Sequence, residues 1–78
     1  MKLTIGRSVI YKVRDDDAPE IRHNSAKELP AIVVATFSVS ATICANLRIL
    51  TDGPDSPVWK PSVVEGTEAG MWHWPERV

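Results

Sequence analysis

Seventy-eight residues make one small domain with a thin core, because a chain this short buries only about 60–65% of the surface that its unfolded form exposes. A formal net charge of −1 lacks the basic excess by which proteins neutralise duplex phosphates, so strong duplex nucleic-acid binding is not expected. The single cysteine, Cys44, leaves no disulfide framework and points to a reducing compartment. The opening stretch "MKLTIGRSVIYKVRDDD" holds no signal-peptide core. The longest apolar-rich window, residues 30–50, is interrupted by Ser38, Ser40, Thr42, Asn46 and Arg48 and falls short of the ~18 apolar residues of a membrane span. The expectation is a soluble, cytoplasmic domain spanning residues 1–78.

Along the chain, "SVIYKV" alternates with strand period, placing Val9, Tyr11 and Val13 on one face. The polar segment "RDDDAPEIRHNSAKEL" then reads as a long loop, with Asp15, Asp16 and Asp17 expected at a solvated tip. Pro30 opens "PAIVVATF", and "TICANLRILT" gives the clearest alternation: Ile43, Ala45, Leu47 and Ile49 face one way, and Thr42, Cys44, Asn46 and Arg48 the other. A single helix across Ala31 to Leu50 is the rival reading, but β-branched residues such as Ile32, Val33, Val34 and Ile43 lose rotamer freedom in a helix. The connection "SVSA" lacks the Gly, Asn or Asp that a tight hairpin favours. "TDGPDSP" is a loop; "VWKPSVVEG" is a strand in which Pro61 implies an edge, a bend or a bulge. After "TEAG", "MWHWP" forms a last short strand that ends at Pro75. Five short strands on a thin core favour a closed form that hides its edges, and the expected fold is a five-stranded, SH3-like β-barrel with a long loop after the first strand.

Three tryptophans stand out in so small a chain. Strand period puts Trp72 and Trp74 on one face of the last strand and His73 with Met71 on the other. The first reading of the pair is that they close the core; the functional reading is that they line a groove. Catalysis is not expected, since His23, His73 and Cys44 show neither a nucleophile signature nor metal-ligand spacing. No cofactor or metal is expected; the run of aspartates has no spacing that would converge on a cation.

The segments "PAIVV", "NL", "TDG" and above all "GMWHWPE", residues 70–76, together with Gly6 and Arg7, resemble a family of small proteins of tailed bacteriophages and prophages that end in a G-x-W-H-W-P-E motif. The resemblance covers most of the chain outside residues 14–29. It implies a phage setting inside a bacterial host cell and a small β-barrel, with no activity attached.

Binding is the remaining class. One reading is a phage accessory protein that counters a host defence by sequestering a small nucleotide signal. Its ligand-binding candidates are the aromatics Tyr11, Trp59, Trp72 and Trp74 for stacking, Arg48 and Arg77 for phosphates, and His73 at the edge of the surface. A second reading is an SH3-like module that binds a host or phage protein, with Asp15, Asp16 and Asp17 beside the aromatics as in proline-rich peptide recognition. A third is a structural homo-oligomer with the tryptophan strand at its interface.

Overall fold

A computed structural model describes residues 3–76. Five strands, β1 (Ser8–Lys12), β2 (Glu28–Val39), β3 (Thr42–Ile49), β4 (Val58–Val64) and β5 (Trp72–His73), form one antiparallel sheet in the order β4-β3-β2-β1-β5. The only helical piece among the described residues is a 3-10 turn at His23–Ser25. The expected all-β fold stands, with its long loop after β1. The ring does not close as a continuous ladder. Its two edges meet at a single parallel bridge between Glu65 and Trp72, with the Gly66 N–H donating to the Trp72 carbonyl at 2.9 Å.

The alternation in β1 and β3 builds the core. Val9 and Tyr11 from β1 meet Leu29, Ala31 and Val33 from β2, Ala45, Leu47 and Ile49 from β3, Val63 from β4 and Trp72 from β5. Each such large side chain contributes roughly 1.5–3 kcal/mol on burial. Two irregularities shift the pattern. The register of β2 against β3 slips between Val33 and Ala35, and that of β3 against β4 slips between Ala45 and Leu47. The second sits where Pro61 implies one: Ser62 adopts a φ of 58°, and its N–H donates to the Asn46 side-chain oxygen at 2.9 Å.

Two expectations on β3 are corrected. Ile43 does not reach the core but is 53% exposed, because it lies near the end of the hairpin, beyond the cover of β1. Cys44, expected on the polar face, is buried; the register flanks it with Phe37 on one side and Val64 on the other, and it stays a free thiol. The "SVSA" connection forms a two-residue turn, with Val39 opposite Thr42 and positive φ at both Ser40 (47°) and Ala41 (69°). Two consecutive positive φ values are what a type I′ hairpin turn demands, and here non-glycine residues adopt them.

The segment after β1 is not a solvated excursion. Asp17 is 4% exposed. Its carboxylate accepts from the Tyr11 hydroxyl (2.8 Å), the Arg14 backbone N–H (2.7 Å) and the Lys60 ammonium (2.9 Å). The Asp17 carbonyl accepts from Arg22 Nε at 2.6 Å. Burial alone would push the carboxyl pKa up, but the Arg14 N–H, Lys60 and Tyr11 outweigh it and hold it below the ordinary value. Burial, then the Asp17 carboxylate, pushes the Tyr11 phenol far above its usual range. The expectation of three equivalent aspartates at a tip is therefore corrected: Asp15 and Asp16 are exposed, and Asp17 is a structural centre. The far end of the segment buries Ile21 and rests on the β3–β4 connection, with the Asn24 amide donating to Asp52 at 2.7 Å.

Ala41→Gly removes the steric penalty of the left-handed conformation and should stabilise the fold by about 1 kcal/mol. Urea denaturation of the variant against the parent checks this; an unchanged or lower midpoint would mean that the turn carries no such penalty.

Candidate functional site

The seven candidate binding residues do not converge on one site. Tyr11 is closed to any ligand, being fully buried with its hydroxyl held by Asp17; its expected place on a binding surface is corrected. Arg77 lies outside the described residues. Arg48 and Trp59 are brought together as cross-strand partners of β3 and β4, both exposed, Trp59 by 51%. They share the sheet side opposite the core, since their neighbours Leu47 and Ile49 point inward.

Trp72 and Trp74 form the other group. Trp72 is 2% exposed and belongs to the core, whereas Trp74 is half-buried and packs against it. Their rings meet edge to face, with centroids 5.2 Å apart and planes at 89°. The Arg7 guanidinium lies over the Trp74 ring at 5.3 Å, a cation–π contact. Beside the pair opens a cleft of about 360 Å³. Leu3, Ile43, Val64 and the two indoles give it apolar walls, and Thr42 and Glu65 add polar groups. The Trp72 indole N–H is buried and has no acceptor among the described residues. A buried donor left unsatisfied costs about 1–3 kcal/mol. The cleft exists because β5 is only two residues long and, among the described residues, meets the chain just after β4 at one bridge, Glu65 to Trp72, which leaves the seam between hairpin and last strand unfilled.

His73 points to the opposite side, as strand period requires. Its Nδ1 lies 3.0 Å from the Trp74 carbonyl and its Nε2 lies 2.7 Å from a Glu28 carboxylate oxygen. Both ring nitrogens therefore face acceptors, and only the imidazolium can donate to both. The Glu28 hydrogen bond, then the Trp74 carbonyl, raises the His73 pKa above 6.5. A smaller hollow of about 240 Å³ lies beside it, between Ile10, Pro30 and Pro75.

Sequence reasoning did not find a third grouping. Arg14, Arg22 and Lys27 surround a polar hollow of about 290 Å³ within the loop after β1. Two of these cations are already engaged, Arg14 by Asp16 at 2.9 Å and Arg22 by the Asp17 carbonyl. Among the described residues, no group of three or more His, Cys, Asp or Glu side chains comes together to hold a metal ion. No helix among them is long and apolar enough to cross a membrane.

The raised His73 pKa means that the charged form is favoured by folding, so the His73–Glu28 contribution is complete below pH ~6.5 and is lost as pH rises through the folded value. Glu28→Gln should bring the His73 titration midpoint down towards the ordinary value and flatten the loss of stability as pH rises above ~6.5. An NMR titration of the His73 ring in parent and variant reads this directly, and an unchanged midpoint would show that Glu28 is not the cause. Comparisons with protein families, with curated proteins and with solved structures find no match to this chain.

Proposed function

We propose that the protein is a non-enzymatic interaction module whose cleft beside Trp72 and Trp74 receives an uncharged, apolar side chain of a partner protein. The observation that carries the reading is the apolar lining of that cleft, in which Leu3, Ile43 and Val64 stand with the two indoles.

Charge favours a side chain over a nucleotide. At about 360 Å³ the cleft lies at the low end of small-ligand pockets, about 300–1,000 Å³, and has room for one large side chain. The polar rim carries Glu65, whose carboxylate would oppose a phosphate. Arg48, expected to hold phosphates, pairs with Trp59 on the other side of the sheet, away from the two indoles. Exposed Ile43 and Val39 on the adjoining hairpin extend the apolar surface outward, as the rim of a protein contact does. The phage setting and any role against host defence depend on the family resemblance alone and add nothing to the choice of ligand.

Indole N–H resonances provide the test. Titrating N-acetyl-phenylalanine amide, which carries an apolar ring and amide carbonyls, should move the Trp72 and Trp74 signals and leave Trp59 still. Ile43→Lys should weaken the effect at least ~10-fold, because a charge would be set against apolar walls. Movement with adenosine monophosphate and none with the amide would overturn this reading in favour of nucleotide binding, and movement of Trp59 alone would relocate the site.

A further inference from the structure

The free flank of β2 carries an inference that does not depend on the cleft. β1 covers that flank only from Glu28 to Ile32. One further turn of chain extends the cover to Val33, where the Gly6 N–H donates to the Val33 carbonyl at 2.7 Å and the Val33 N–H donates to the Arg7 carbonyl at 3.0 Å. Beyond Val33 the strand continues through residues 34–39, paired with β3 on one side. No backbone group takes its other side among the described residues.

An open strand edge presents a row of N–H and C=O groups to any extended chain, and proteins usually blunt it with lysine, proline or an inward charge. The segment "VATFSV" has none of these. Its side chains are those that pair well across strands, with Val34 and Phe37 each 38% exposed and Val39 54% exposed. From Ala35 to Val39 its register with β3 is unbroken, so the flank is regular enough to accept a ladder.

The segment's own chemistry selects the occupant. Antiparallel pairing about a two-fold axis sets a strand against its own copy, each donor meeting an acceptor of the same segment. No charged residue occurs from Pro30 to Leu47, so nothing repels across such an axis. A net charge of −1 adds little long-range repulsion between copies. We infer that residues 34–39 of β2 pair antiparallel with the same residues of a second copy, joining two sheets into one across a two-fold axis. This places the homo-oligomer contact on the hairpin, not on the tryptophan strand, whose Trp72 is consumed by its own core.

Sedimentation of the unmodified chain from low to high micromolar concentration should show a species of twice the 8.6 kDa chain mass. In the same samples, hydrogen exchange should show the amides of residues 34–39 becoming protected as the dimer forms. Phe37→Lys, setting like charges near each other at the axis, and Val34→Lys, placing a charge within the paired flank, should each raise the dimer Kd at least ~10-fold. Trp59→Lys, on a strand remote from that flank, should leave it unchanged. Circular dichroism establishes that each variant is folded, and the exchange measurement needs no variant at all. A monomer at every concentration, a dimer whose residues 34–39 stay unprotected, or a dimer indifferent to both lysines would each overturn the inference.

Discussion

The fold depends on one buried carboxylate. Asp17 is the single buried charged residue among those described, and an ion taken out of water costs several kcal/mol unless its lone pairs are satisfied. Here they are, by the Tyr11 hydroxyl, the Arg14 N–H and Lys60, from the first strand, the loop itself and the fourth strand. The contact with Lys60 spans 43 positions of sequence. It fixes a segment that would otherwise be a long polar loop across the end of the sheet, and the fixed segment can then contribute Ile21 to a core otherwise built from the five strands. Removing one partner of such a group leaves the others stranded, so the carboxylate is more valuable in place than the net energy of any one of its bonds.

With that end of the sheet sealed, the opposite end is left open in two ways. β5 is too short to complete a ladder with β4, and its tryptophans stop short of filling the seam, which leaves the cleft. β1 is too short to cover β2, which leaves the flank of the hairpin without a backbone partner among the described residues. Both surfaces are uncharged apart from Glu65, and they share Ile43 and its hairpin as a border. A partner in the cleft and a second copy on the flank would approach neighbouring but distinct surfaces. His73, on the other side of β5, takes no part in either and acts as a pH-sensitive tie between the last strand and the start of β2.

Much of the fold was legible in the sequence because period-2 alternation survives wherever a strand is regular. Val9 with Tyr11, and Ala45 with Leu47 and Ile49, took the predicted side, and Pro61 marked its irregularity. The hairpin turn was harder to read, since Ser40 and Ala41 adopt positive φ with no glycine or asparagine to announce it. Asp17 could not be told from Asp15 and Asp16, because what separates them is a lysine far along the chain. The site was less legible still. Pairing Trp72 with Trp74 needed only strand period, but pairing Arg48 with Trp59 needed the register of β3 on β4. The cleft takes its walls from the chain start, the hairpin, the end of β4 and β5, and no local pattern links those four segments.

The most direct test of this account is hydrogen exchange on Asp17→Ala. If the carboxylate anchors the loop, the amides bonded within it, those of Val13, Ile21, Arg22 and Ala26, should lose protection together, while those pairing β2 with β3 keep the parent order of protection. Loop amides that exchange as slowly in the variant as in the parent would contradict the account, and the loop would then be held by contacts other than the carboxylate, among them Ile21, the Asn24–Asp52 contact and the bond from Arg22 to the Asp17 carbonyl.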